Sequence, residues 1–346
     1  MNPYSSKYSS KANELSSKTF MRYSRQVLLP EVGEAGQCQL QRHHVIIVGI
    51  GGLGHLAAQY LAAAGVGWLT LIDGDQVELS NLPRQLLFSD ADLGQFKARC
   101  AQDKLQRAYV DCDIRAIGSY LDEETIALAS ICSELANADL VLDCTDNFAT
   151  RHLVNRVCVQ FKTPLISASA ANFQGQLLQV DLTRAPSAGC YHCLFPSDMQ
   201  VSETCSTVGV LGPMVGVMAS MQCLLALNTL LGIHQTDPSP ERMNSPEPSL
   251  KPKSSLELMN SPEHSLELSH SPEPSLGSES SLKQLWRLNG KTLQWQGVKR
   301  QRDPQCSVCA AQTNLDANSV NGGTLDSGAL NDRASDASIH NDLRSA

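Results

Sequence analysis

Between residues 21 and 234 the apolar positions recur at two periods, and each change of period marks a new element. The run VIIV at 45–48 predicts a strand buried on both faces, and the Ala-rich stretch 53–64 predicts a helix. Further strands are predicted at 68–72, 113–117 and 140–144, with helices at 97–107 and 151–161. Strand and helix in regular alternation imply an α/β fold with a doubly wound, mainly parallel sheet. PLISASA followed by FQGQLLQVDL predicts one more strand and an antiparallel extension, and an apolar helix at 212–231 closes the core. Ahead of the first strand, MRYSRQVLLPEVGEAGQCQLQ reads as an amphipathic helical arm.

Polar stretches divide the rest. Residues 1–20 read as a disordered leader, 21–234 as the main domain and 311–346 as a disordered tail. Between 235 and 281 the composition turns to Ser, Pro and Glu, with SPEPSL, SPEHSL and SPEPSL again as a degenerate repeat. Such a segment has too little apolar surface to offset the entropy of ordering, so a disordered insertion is expected. The chain resumes at 282–310, where two short strand-like runs around Asn289 and Gly290 predict a hairpin.

The net charge of −8 removes nucleic acid from the expected partners, because phosphate neutralisation needs dense Lys and Arg clusters that this chain lacks. No signal peptide is legible at the N-terminus, and no stretch is read as the roughly 20 uninterrupted apolar residues that span a bilayer. A cytoplasmic protein without membrane contact is expected. In that setting the 12 cysteines read as buried thiols, metal ligands or reactive thiols before they read as disulfides.

Gly49, Gly51 and Gly54 form GxGxxG in GIGGLG, directly after a strand and before a helix. There, glycines let backbone amides and a helix N-terminus approach phosphate. Asp73 ends the next strand, where an acid accepts hydrogen bonds from ribose hydroxyls. The bland alternative is a turn that only permits tight packing. A nicotinamide-dependent dehydrogenase fits the same glycines, but it has no use for Asn81, Arg84 and Lys97, which follow in DGDQVELSNLPRQLLFSDADLGQFKA. Triphosphate chemistry does, since cations must offset the charge that develops on phosphate. Taken singly, either cation also reads as an ordinary surface residue. His55 and His152 fall in helical runs and read as structural, and Met214, Met218 and Met221 share one helical face that reads as core.

Cys190 with Cys193, and Cys306 with Cys309, make two CxxC pairs. Four thiolates suit a closed tetrahedral zinc site, which would tie the C-terminal hairpin back to the main domain. Independent buried thiols or a redox dithiol are the alternatives. Cys205, in SETCSTVGVLGP, lies in a polar stretch where a thiolate is accessible, or is a spare thiol.

These motifs together resemble the ThiF/MoeB/HesA family, relatives of the ubiquitin-activating enzymes. The likeness runs through RYSRQ, GIGGLG, LAAAGVG, LIDGDQVELSNLPRQ, GQFKA, LDCTDNFATR, CYHC, GVLGPMVGVM and CSVC. The resemblance implies an adenylyltransferase that uses ATP and Mg2+ to convert the C-terminal glycine carboxylate of a ubiquitin-like sulfur carrier to an acyl-adenylate, releasing pyrophosphate. By likeness, Gly52 and Asp73 lie against the nucleotide, while Ser80, Asn81, Leu82, Pro83, Arg84 and Lys97 hold the phosphates. Asp146 helps bind magnesium with Asn147 beside it, or caps a helix. Arg25 reaches the triphosphate from the other protomer of a homodimer, and Cys205 takes part in an acyl-disulfide or sulfur relay. CLFP and GVLGPMVGVM look nearer to the ThiF type, implying a ThiS-like carrier and thiamine thiazole synthesis. A MoaD carrier for molybdopterin is the alternative. With no rhodanese segment legible after CSVC, sulfur is expected to come from a separate donor protein. A carrier-binding scaffold without catalysis remains a competing reading. The missing Asn-Pro in LQRAYVDCDI, the Asp75 set one Gly beyond Asp73, and the insertion depart from the family pattern.

Overall fold

The computed structural model describes residues 14–197, 199, 209–233 and 284–310. Cys205, most of the expected leader, the Ser/Pro/Glu insertion and the tail lie outside the described residues. Helix α1, Ser17–Val27, opens where Ser16 accepts a hydrogen bond from the Thr19 N–H, which sets the boundary ahead of residue 21. The expected arm is two helices, not one. Pro30 cannot continue α1 and disfavours helix at Leu29, so the chain turns and restarts as α2, Gly33–Leu40.

There follow β1 (His44–Val48), α3 (Gly54–Ala63), β2 (Trp68–Ile72), α4 (Lys97–Ala108) and β3 (Asp113–Ile117). Two short helices absent from the sequence reading come next, α5 (Glu123–Ile126) and α6 (Ala129–Asn137), before β4 (Leu140–Asp143). Then come α7 (Phe148–Phe161), β5 (Leu165–Ala171), β6 (Gln174–Val180), α8 (Tyr191–Leu194), α9 (Gly212–Leu231), β7 (Gln284–Asn289) and β8 (Gln294–Lys299).

The strands form one sheet in the order β3-β2-β1-β4-β5-β6-β7-β8. The first five are parallel and the last three join antiparallel. Helices cover both faces, as the period of two in each strand requires. Val45 and Ile47 of β1 join Leu140 and Leu142 of β4 in the cluster under α3 and α9, while Ile46, Val48 and Val141 join the opposite cluster under α7. Strand order reverses between β1 and β4, and in such sheets the crevice at the carboxyl ends of these two strands is where ligands bind.

By length and composition helix α9 could cross a bilayer, although Ser220, Gln222, Asn228 and Thr229 interrupt its apolar run. Half of its apolar stretch is instead buried, packed on α3, β5 and β6 with Met214 and Met218 inward and Met221 partly so. Gln222, wholly buried on the same helix, donates to the carbonyls of Asp143 (3.1 Å) and Ile166 (2.9 Å) and pins α9 across β4 and β5.

Leu142 is fully buried in the middle of the sheet. Leu142→Ala is therefore expected to destabilise the chain by about 2–5 kcal/mol. A urea midpoint unchanged from wild type would contradict this packing.

Candidate active site

A cleft of about 640 Å³ opens at the carboxyl ends of β1, β2 and β4. Its floor is the glycine loop. Gly49 has φ +87°, and a side chain there would meet the Cys144 carbonyl oxygen at 2.9 Å. Gly51 and Gly52 line the cleft and Gly54 does not. A Cβ at Gly54 would fall 1.8 Å from the Gly49 carbonyl oxygen, so this third glycine serves helix packing instead of ligand contact. Asp73 accepts from the backbone N–H of Ile50 (2.5 Å) and of Asp75 (2.7 Å). Burial pushes its carboxyl up, against those two N–H groups and Lys97.

Ser80, Asn81, Arg84 and Lys97 line the opposite wall. Arg84 donates to the Ser80 carbonyl (2.8 Å) and has no carboxylate partner among the described residues. Lys97 is buried, with its ammonium 2.8 Å from Asp75. Burial would raise the Asp75 carboxyl, but hydrogen bonds from Lys97 and Tyr120 hold it below its ordinary value. Asn81 Oδ1 and Gln85 Oε1 are buried without a partner beside this wall, acceptors that suit a polar ligand. Leu82 and Pro83 do not line the cleft: Leu82 packs against the core, and Pro83 turns its carbonyl toward Gly212. Arg25 sits exposed on α1 and is likewise absent from the lining of its own chain's cleft.

The third wall is the loop from β4 to α7. Asn147, not Asp146, caps α7, accepting from the Thr150 N–H at 2.8 Å. That leaves the Asp146 carboxylate exposed in the cleft, without an ion pair among the described residues. Beneath it Asp143 is buried, accepting from the hydroxyls of Ser167 and Thr145 (both 2.6 Å) and facing Arg151 at 3.6 Å. Arg151 also donates to the carbonyls of Thr145 and Ala168, so the buried charges are multiply satisfied and the loop is held from below.

The four CxxC cysteines converge. Their Sγ atoms lie within 4.8 Å of one another, with Cys190–Cys193 at 4.0 Å, Cys190–Cys306 at 3.8 Å and Cys193–Cys309 at 3.5 Å. A zinc–sulfur bond of about 2.3 Å puts tetrahedral sulfurs about 3.8 Å apart, so the set fits zinc. Arg300, which the sequence reading passed over, is buried next to them and donates to the Gly189 carbonyl at 2.7 Å. Burial pushes its guanidinium down to about 10, against the pull of Cys190 and Cys193.

The ThiF family profile matches residues 23–308. The chain belongs to the ThiF family. The sulfur carrier protein ThiS adenylyltransferase of Escherichia coli K12 is 46% identical over 219 residues, covering 63% of this chain and 84% of that relative. The molybdopterin-synthase adenylyltransferase of the same strain is 42% identical over 219 residues, covering 63% and 85%. A crystal structure of E. coli MccB with MccA-N7isoASN shares the fold at TM-score 0.62 and 21% identity, over 84% of this chain and 75% of that one. This member of the ThiF family is accordingly an adenylyltransferase.

Asp75, Tyr120, Gln85 and Arg151 line the cleft although the sequence reading gave them no site role. Asp75 was visible in DGD; Tyr120 lies far along the chain, with no local signal. His55 is structural in a specific way. Its Nε2 accepts from the Leu86 N–H (3.0 Å), so Nδ1 carries the proton and donates to the Gly51 carbonyl (2.8 Å). One imidazole thus ties the glycine loop to the segment bearing Arg84.

Burial pushes His55 from 6.5 down to about 4, opposed by hydrogen bonds to the backbone of Gly51 and Gly52. Folding favours the neutral ring, so its contribution is complete above pH 6.5 and is lost as the pH falls through 4. His55→Gln is expected to remove up to about 3 kcal/mol of pH-dependent stability across this window. Identical slopes of urea midpoint against pH in both proteins would refute the assignment. For the cysteines, elemental analysis should find about one zinc ion per chain, and Cys306→Ser should lose it along with thermal stability.

Proposed function

We propose that this chain adenylylates the C-terminal glycine carboxylate of a ubiquitin-like sulfur carrier of the ThiS type, in thiamine thiazole synthesis. The observation that carries the reading is the pairing, across one cleft, of a glycine loop and a ribose-binding acid with two cations, one of which, Arg84, has no carboxylate partner among the described residues. The relatives named for ThiS and for molybdopterin synthase, 46% and 42% identical, both support a ubiquitin-like sulfur carrier as the substrate class, and the ThiS choice rests on the CLFP and GVLGPMVGVM strings.

A carboxylate is a poor acyl donor because its leaving group is oxide. Its oxygen attacks the α-phosphorus of ATP, pyrophosphate departs, and AMP becomes the good leaving group. The nucleophile is already an anion, so no side-chain base is needed. The chain's task is to orient the triphosphate and neutralise charge as the phosphorus–oxygen bond breaks. Gly51 and Gly52 admit the phosphates to backbone N–H groups, and Asp73 takes the ribose hydroxyls. Ser80, Asn81, Arg84 and Lys97 receive the phosphate oxygens. Asp146, open in the cleft, would hold magnesium, which when bound supplies positive charge to the phosphates.

In the same reading, Arg25 reaches the triphosphate from a second copy of the chain, so a homodimer is the working form. Cys205 forms the covalent or relay link in sulfur transfer, and a separate protein donates the sulfur. A cytoplasmic setting supplies both ATP and the reducing conditions that zinc thiolates require.

ATP–pyrophosphate isotope exchange tests the proposal, with ThiS-type and MoaD-type carriers each offered intact and without the terminal glycine. Exchange is expected with the intact ThiS-type carrier alone, and Arg84→Ala or Lys97→Ala should lower it about 100- to 1,000-fold with the fold retained. Exchange only with the MoaD-type carrier would reassign the pathway. Carrier binding without exchange would make the chain a scaffold.

A further inference from the structure

We infer that Tyr120 is a positioning residue for nucleotide binding, whose hydroxyl holds Asp75 so that Lys97 can pass from that carboxylate to the triphosphate. The inference rests on the adenylylation reading above. Asp75 has a separate donor on each oxygen: Lys97 Nζ lies 2.8 Å from Oδ2 and the Tyr120 hydroxyl 2.6 Å from Oδ1. Lys97 is only 5% exposed, and its backbone N–H also donates to the Asp75 carbonyl (2.9 Å). Before ATP arrives, then, the ammonium that phosphate needs is paired with a carboxylate.

Moving it costs whatever Asp75 loses, and that cost depends on what else the carboxylate holds. Tyr120 is the other partner. Its hydroxyl is pushed up to about 12, chiefly by this hydrogen bond, and so remains a donor throughout the neutral range. The backbone makes room for it. A Cβ at Gly74 would fall 2.7 Å from the Tyr120 amide nitrogen and 2.8 Å from its ring, so glycine between the two acids lets the ring close over the turn. The same turn ties in the ribose acid, because the Asp75 N–H donates to Asp73. Asp73, Gly74, Asp75, Lys97 and Tyr120 all line the cleft. A displaced Asp75 is therefore felt at both ends of the nucleotide.

Tyr120→Phe keeps the ring and removes only the hydroxyl. Asp75 then grips Lys97 alone, and the KM for ATP in isotope exchange is expected to rise about 3- to 10-fold with kcat changed by less than about 2-fold. The calorimetric Kd for ATP, measured without carrier, should rise in parallel. In an Asp75→Asn background the same substitution should have no further effect, because the carboxylate grip is already gone. Unchanged KM and Kd in Tyr120→Phe, or equal losses in both backgrounds, would overturn the inference. Wild-type protein that binds ATP yet exchanges nothing would sink adenylylation alone, since the calorimetric comparison still decides the role of Tyr120. Wild-type protein that binds no ATP would overturn both.

Discussion

Between the end of β1 and the start of α3 the backbone passes so close to itself that a single methyl group at Gly54 would lie 1.8 Å from the Gly49 carbonyl oxygen. This approach sets the geometry of the glycine loop. It seats α3 directly on the end of the strand and leaves Gly51 and Gly52 bare in the cleft. It also brings the Ile50 N–H to Asp73, so the glycine loop and the acid at the end of β2 are one hydrogen-bonded unit. His55 extends that unit through Leu86 to the segment bearing Arg84.

Most of the charges around the cleft are held by partners within the chain. Asp143 and Arg151 are buried and multiply bonded beneath the loop that carries Asp146, so that loop is held without using Asp146 itself. On the facing wall Arg84 stays without a carboxylate partner among the described residues, and Lys97 is kept in reserve by Asp75. The zinc-type cysteine cluster works elsewhere. It joins the segment after β8 to the segment after β6, which the Tyr191 N–H in turn ties to Asn155 of α7 at 2.9 Å.

The core of this architecture was legible in the chain because strands buried on both faces read as unbroken apolar runs and helices as wider periodic ones. β1 falls within a residue of the predicted run, and α9 was visible as a single apolar stretch. Elements governed by local side-chain bonds were harder. The break between α1 and α2 depends on Pro30, and the start of α7 on an Asn147 cap in place of the Asp146 cap considered from sequence. The four-residue α5 and the nine-residue α6 are too short for a helical period to stand out.

By itself the sequence determined the parallel half of the sheet, the glycine loop, the cations that follow it and the two cysteine pairs, because each is a local pattern with a local physical cause. Only the tertiary structure decided which of those residues share a cleft. It set Gly54, Leu82 and Pro83 into packing roles and brought Asp75 and Tyr120 to Lys97. It also drew four sulfurs from distant segments to within 4.8 Å. Contacts of that kind depend on strand order and on the buried surface that fixes it; the CxxC spacings suggested that the sulfurs meet, but no spacing along the chain encodes the meeting of Asp75, Lys97 and Tyr120.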